Sequence, residues 1–534
     1  MTHLQKVAEK RLSAMLPMLV AFATFLFFVA TRAVQHDRNT IYRLLEIESD
    51  SLKAMTEARH VLFSPVAAGF YRLWRSLGYS GSSLLPSQIL VAAFGAMGSG
   101  IVTALLGRFC RDVTLTVLLA IGFVGSYSYW YHSTDVEYWT PYIVAVLALT
   151  VFFLRWFYEK HHATSIIWII LLTYVSILFW SAGIILGIIV AVSFLMLPSR
   201  HTWRDRWGSF LAFGSAEALL LTVTYSWLGM RVHGIPSYRQ LISWLGTYPG
   251  RMPIWGRADP HRIFDSAWSL AASVLPFWNG LGLRGLLRGQ LDPTKIIPQA
   301  ALLATVGLVA VVTVHWLHNR TPLVSQDISP FLLLWVVTYS LFITWFDPFE
   351  PKWWVIALIP LWLLFGDLSL SWVQCSGRTG YLAVSVWVAL LLLSNWFNAM
   401  GPRHFDVGDD YRKAMYCIEQ MAPQDVLVTP YAQEWPLYVQ YFGRRQLLDV
   451  GGQALYHSPD YARQRLLELV CSTNHGTVYL ADHTQLTAAE WQFITDNMGI
   501  TPLTFEGFHT EEAWRWGGEP VWRIVGSTEC DGLP

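Results

Sequence analysis

Three acidic groupings in the chain carry residue types suited to ion pairing, metal binding or acid–base catalysis. They are Glu46-Ile-Glu48-Ser-Asp50-Ser51 with Arg59 and His60 just downstream, Asp135-Val-Glu137, and Asp347-Pro-Phe-Glu350-Pro-Lys352. A carboxylate can take a proton from an attacking hydroxyl, orient it, or hold a divalent cation. Arg59 and Lys352 can bind an anionic group. Each grouping also has a plainer reading. Asp50 or Ser51 can cap a helix running to about His60, and Thr134 to Glu137 fits a capping box with Asp135 at the positive end of the helix dipole. Asp347 and Glu350 fit a solvated turn between two prolines with Lys352 as a local partner, and His60 alone fits a packed interfacial histidine. Taken singly, the caps are the simpler account. Glu217 stands apart inside an apolar run, where a carboxylate either bonds a neighbouring helix or serves a function.

A large part of the chain must sit in lipid. The chain has 534 residues, 54% hydrophobic and 14% charged, with 27 Trp, against about a quarter charged in soluble domains. Apolar runs of the roughly 17–25 residues that cross a bilayer fall near 12–34, 88–107, 114–132, 138–156, 164–180, 181–197, 208–230, 296–317, 328–346, 352–371 and 380–397. The first is too long for a signal peptide and no small-residue cleavage site follows it. The expected fold class is an α-helical integral membrane bundle of about eleven transmembrane helices with a C-terminal extracytoplasmic α/β domain. The expected division is 1–397 for the membrane domain and 398–534 for the soluble one. A net charge of +0 and a pI of about 7.3 give no basic surplus for nucleic acid. The five Cys residues show no zinc spacing.

Short-loop Lys and Arg orient the bundle. With Lys6, Lys10 and Arg11 inside, Arg108, Arg111, Lys160, Arg200, Arg204, Arg206, Arg320 and Arg378 also fall inside, and an odd span count exports the C-terminus. Three long segments then face outward: about 35–87, about 231–295 and the tail from about 398. In the first, the stretch Val66 to Leu77 puts Phe70, Leu73, Trp74 and Leu77 on one face, as interfacial helices do. The second is rich in Trp, Tyr and Pro around Ser243 to His261 and holds Arg251, Arg257 and Arg262; it reads as an aromatic belt or as a substrate contact.

The tail alternates as an α/β domain does. Helix Asp409 to Met421 precedes strand Val426 to Thr429, a helix near Glu434 to Phe442 and strand Gln446 to Val450. Ser458-Pro459 opens another helix, Thr477 to Ala481 is a strand, Thr487 to Glu490 is a capping box, and Val521 to Val525 closes. No phosphate-binding glycine loop occurs, so a nucleotide-sugar site is not expected. Cys471 precedes one strand and Cys530 follows another, so antiparallel pairing can join them in an oxidising compartment.

The order of these features resembles the GT-C class of membrane glycosyltransferases, which includes protein O-mannosyltransferases, aminoarabinose transferases and oligosaccharyltransferase catalytic subunits. Asp50-Ser51 followed by His60-Val-Leu-Phe-Ser-Pro65 is similar to the family's first acidic motif and its following helix start. Tyr131-His-Ser-Thr-Asp135-Val-Glu137-Tyr138 is similar to the acidic motif before its fourth span, and Asp347 to Trp354 to the loop before a late helix. The family often has its first acidic residue nearer the end of span one, which makes Asp37 a competitor of Asp50. No WWDxG-type motif occurs in the tail, so transfer of whole oligosaccharides to asparagine is not expected.

The resemblance implies an inverting sugar transfer from a polyprenyl-phosphate-linked donor to a glycan, lipid or protein acceptor on the outer face of the cell's inner membrane, with membrane lipid around the bundle. Asp50 is then the general base, and Asp135 or Glu137 orients the acceptor or, with Asp50, holds a divalent cation such as Mg or Mn. His60, Arg59, Asp347, Glu350, Lys352 and Arg257 form the substrate-binding set, with Arg59, Lys352 and the Arg251, Arg257, Arg262 group as counter-charges for the phosphate. The competing readings are a transporter or lipid flippase, for which Glu217 is the main residue, and a polymerase or ligase of surface polysaccharide.

Overall fold

The first helix ends at Ala30, short of the expected end of its run near 34, and every later apolar run of the sequence coincides with a helix. A computed structural model describes residues 3–159, 163–196, 201–246, 259–276, 295–319, 327–472 and 476–530. Seven helices among the described residues are long and apolar enough to cross a membrane by themselves, for example Leu84–Cys110, Trp139–Tyr158 and Pro351–Ser376. A further pair, Val113–Val124 and Tyr127–Thr134, reaches that length and apolarity only together and is bent by 64°, as in a broken span or a re-entrant loop. The remaining predicted runs, at the N-terminus and around Trp180, lie on the shorter apolar helices Met15–Ala30, Thr164–Phe179 and Gly183–Met196.

Contacts divide the chain into two bodies. The first comprises Met1–Ala33, Glu46–Leu245 and Gly256–His404. Its helices pack through small residues, as membrane helices do: a Cβ added to Gly100 would lie 3.0 Å from the Pro17 carbonyl oxygen. Its interior is aromatic, with Trp130, Trp139, Trp156 and Trp335 fully buried.

The second body contains Val34–Leu45 and Phe405–Pro534. The segment after the first span is stitched to the tail by reciprocal bonds, His36 N–H to Tyr438 Oη at 2.9 Å and Tyr438 O–H to the His36 carbonyl at 2.5 Å. Arg38 lies over the Tyr431 ring at 4.4 Å. Five strands form a sheet in the order β2-β1-β3-β5-β4. β1 (Val426–Thr429) is parallel to β2 (Gln446–Asp449) and β3 (Val478–Leu480), whereas β5 (Glu519–Ser527) runs antiparallel to β3 and to β4 (Phe508–Trp516). The expected Ser458 cap is present, accepting from the Tyr461 N–H, and so is the Thr487 to Glu490 capping box. β4 has no counterpart in the sequence reading. Its burial pattern is exposed from His509 to Ala513 and alternates only at its end, so the run of alternation that marks a half-buried strand is too short to read.

Antiparallel pairing of β3 with β5 brings Cys471 and Cys530 together, and they form a disulfide with Cα atoms 5.4 Å apart across 59 residues of chain. A loop of that length makes the bridge worth about 4 kcal/mol. Cys530→Ser is expected to lower the unfolding midpoint of the tail by that order, read by tryptophan fluorescence in denaturant, and reductant should do the same to the wild type. Equal midpoints with and without reductant would contradict it.

His483 packs near Phe505 and Trp522, its Nδ1 buried without a hydrogen-bond partner. Burial pushes its imidazole down to about 4 from an ordinary value near 6.5. The unfolded chain then takes up a proton that the folded chain refuses, so the stability tied to this ring is complete above pH 6.5 and is lost as pH falls toward 4. His483→Phe, which keeps a ring in place, should shift acid unfolding of the tail to lower pH in near-ultraviolet circular dichroism. An unchanged acid limb would count against the buried neutral imidazole.

Candidate functional site

Two of the three acidic groupings converge inside the first body, at the turn between Tyr127–Thr134 and Trp139–Tyr158. The turn does not fold as a capping box. Tyr138 occupies the N-cap of the following helix without a side-chain cap, and Asp135 and Glu137 turn inward, both buried. Asp135 Oδ1 accepts its neighbour's Val136 N–H at 2.9 Å, and Oδ2 pairs with Arg403 at 2.5 Å. The Arg403 guanidinium lies 3.8 Å over the Tyr131 ring. Glu137 meets His132 Nδ1 at 3.0 Å and Lys352 Nζ at 3.9 Å, and Lys352 also approaches Glu350 at 4.0 Å. A carboxylate moved out of water is costly, and close counter-charges with good geometry offset that cost.

Local packing fixes this arrangement. Ala33 N–H donates to the Thr134 carbonyl at 3.1 Å, Gln88 Nε2 to the Ala33 carbonyl at 2.8 Å, and Trp130 Nε1 to Thr31 Oγ1 at 3.0 Å. These bonds tie the end of the first span to the turn. Ser128 Oγ donates to the Pro351 carbonyl at 2.9 Å, which anchors the Asp347 to Trp354 segment. Asp347 Oδ2 accepts from Trp353 Nε1 at 3.2 Å and Oδ1 from Phe349 N–H at 3.3 Å, so Asp347 shapes its turn. Trp139, Trp180 and Trp353 cluster with ring centroids 4.6–5.4 Å apart. His60 stacks on Tyr138 at 3.7 Å, and its Nδ1 is 3.1 Å from the Phe179 carbonyl. Arg59 gives its carbonyl to Ser181 N–H at 3.0 Å.

The first acidic grouping is spread out. Glu46 Oε2 accepts from Ser64 Oγ at 2.6 Å, and Glu48 Oε1 accepts from Ser83 N–H and Oγ at 2.9 Å each. The expected helix to His60 is only Leu52–Met55, with no side-chain cap from Ser51, and the next begins at Phe63. Asp50 is fully exposed and forms an ion pair with Arg72 at 3.7 Å. It does not meet Asp135. Asp37 is half-buried and accepts the Thr40 N–H at 2.8 Å, capping the helix Arg38–Glu48. Arg251 and Arg257 lie outside the described residues, while Arg262 is buried with Nη1 donating to the Trp345 carbonyl.

The donor set does not fit a resident cation held by Asp50 and Asp135: Asp50 faces Arg72 in solvent and Asp135 faces Arg403. Among the described residues no three His, Cys, Asp or Glu side chains gather as metal ligands. Two residues of this buried ion-pair cluster have no counterpart in the sequence expectations, Arg403 and His132. Arg403 follows the last apolar run in Gly401-Pro-Arg-His, where an arginine reads as a flank. His132 sits within the quoted motif, but nothing in its spacing points it at Glu137.

No protein-family model matches the sequence, and no curated protein matches it in sequence. In structure the chain is similar to ArnT from Cupriavidus metallidurans bound to undecaprenyl phosphate, with a TM-score of 0.59 and 12% identity over 96% of this chain and 97% of that one. It is also similar to the apo oligosaccharyltransferase of Archaeoglobus fulgidus, with a TM-score of 0.52 and 10% identity over 93% of this chain and 73% of that one. Over nearly its whole length the chain thus shares the fold of these two solved membrane proteins.

Proposed function

We propose that the chain is a membrane glycosyltransferase that moves a sugar from a polyprenyl-phosphate-linked donor to an acceptor on the outer face of the inner membrane. The observation that carries this is the likeness, over nearly the whole length of both chains, to a transferase solved with undecaprenyl phosphate. In the proposed reaction the acceptor oxygen bonds to the anomeric carbon from the face opposite the phosphate. The bond from that carbon to the phosphate oxygen breaks, and the hydroxyl proton passes to a carboxylate.

Arg403 and Lys352 are the proposed counter-charges for the departing phosphate, because both are cations already fixed against buried carboxylates and each retains some exposure. Asp135 and Glu137 hold them in place, and His132 holds Glu137. For the general base, the acidic residue soon after the first span, we favour Asp37 over Asp50. Asp37 is half-buried and oriented by a backbone N–H, whereas Asp50 is a solvent-facing carboxylate in an exposed ion pair, the kind worth little. The Cys471–Cys530 disulfide supports an oxidising side for the tail, and the lysine and arginine distribution over the loops agrees. The membrane body as 1–397 and the tail as 398–534 remains the proposed functional division.

The test is transfer of labelled sugar from a polyprenyl-phosphate donor in proteoliposomes. Lys352→Met should weaken donor use about tenfold or more, since charge-assisted hydrogen bonds are worth roughly 1.5–3 kcal/mol. Lys352→Arg should recover part of it. Unchanged donor dependence in Lys352→Met would remove the phosphate role.

A further inference from the structure

Within the second body, a groove of about 660 Å³ lies at the carboxyl ends of β1 and β3. From β1 the chain crosses to β2 on one side, and from β3 it continues to β5 and β4 on the other, so these two strands flank the point where the strand order reverses. Crevices at that point of an open α/β sheet are where such folds bind ligands, and the volume is that of a small-molecule site. The segments leaving the two strands line it, with Trp435 after β1 and Asp482 after β3.

The floor is a completed ion cluster. Lys413 Nζ contacts Asp482 at 3.2 Å and Glu519 at 2.6 Å, and lies 4.4 Å over the Trp435 ring. Trp435 Nε1 donates to Asp482 Oδ2 at 3.0 Å. Two carboxylates therefore already outweigh the groove's lysine. The walls add Asp409, Asp410 and Glu490 beside the half-buried Trp516 indole, with no further Lys or Arg. Asp409 is answered by Arg412 at 2.7 Å. Among the described residues Asp410 has no ion pair within 4 Å; partial desolvation in the groove, and after it the nearby Asp409 and Glu519, push its carboxyl above the ordinary range against the pull of Lys413. A groove of this charge repels phosphates and nucleotides, and a cation entering it would relieve the strain on Asp410.

We propose that this groove binds a small ligand carrying a protonated aliphatic amine, its cation against Asp410 and Glu490 and its carbon skeleton on Trp516. The site is independent of the transfer reaction proposed above, and failure of one leaves the other intact. The test is binding to the full-length protein in mild detergent, followed by calorimetry and tryptophan fluorescence. The probes are spermidine, glucosamine, N-acetylglucosamine and inorganic phosphate. At least one of the two amines should bind saturably, and which one binds tighter identifies the amine as a polyamine's or a saccharide's. N-acetylglucosamine, which lacks the charge, should bind at least tenfold more weakly than the amine, and phosphate not at all. Asp410→Asn, a change at an exposed helix position, should weaken amine binding about tenfold, with Asp410→Glu recovering it. Absence of saturable amine binding, equal binding of the acetylated sugar when glucosamine binds, or amine affinity unmoved by Asp410→Asn would overturn the proposal.

Discussion

Asp37→Asn is expected to reduce sugar transfer by about 10²–10⁴-fold, the usual worth of a positioned general base, while the protein folds and binds donor as before. Asparagine caps a helix about as well as aspartate, so the bond from Thr40 N–H survives and only proton acceptance is lost. Asp50→Asn should stay within about threefold of wild type, because Asp50 is a solvent-facing residue paired with Arg72. The two variants are compared in the same proteoliposome assay. An inactive Asp50→Asn beside an active Asp37→Asn would return the role to the residue that the motif comparison put first.

Arg403→Ala and Asp135→Asn are each expected to destabilise the membrane body severely. Asp135 is completely buried and its salt bridge is with Arg403, so removing either partner leaves an uncompensated charge, at about 3–5 kcal/mol. The double variant Asp135→Asn with Arg403→Gln removes both charges and should regain most of the melting temperature in detergent. It should still bind polyprenyl phosphate at least tenfold more weakly, because the guanidinium is gone. Arg403→Lys keeps the charge but gives up the planar stack on Tyr131, so intermediate values of both readouts are expected. A double variant that folds and binds polyprenyl phosphate as tightly as wild type would show that the pair is purely structural.

The sequence made the spans legible because lipid demands long apolar runs, and helices answer each of them. It also located the tail's helix starts, since Ser458 and Thr487 cap through local bonds that neighbouring residues specify. The turn at Asp135 misled for the same reason: Thr134 to Glu137 has the spacing of a capping box, but burial and the distant partners Arg403 and Lys352 turn both carboxylates inward. Pairing across 268 residues of chain leaves no local signature. Strand β4 was missed because most of it is exposed, with half-buried Trp514 and Trp516 only at its end, and its place depends on β5.

The proposed transfer requires a sugar carried on polyprenyl phosphate. Its most direct test is lipid mass spectrometry of protein purified in mild detergent, comparing wild type with Asp37→Asn. A glycosylated polyprenyl phosphate should co-purify with the protein and be enriched in the variant, where the donor is bound but not consumed; its mass would name the sugar. If neither protein carries such a lipid while both bind another solute, the buried Glu217 inside its span becomes the residue to explain, and transport replaces transfer as the function.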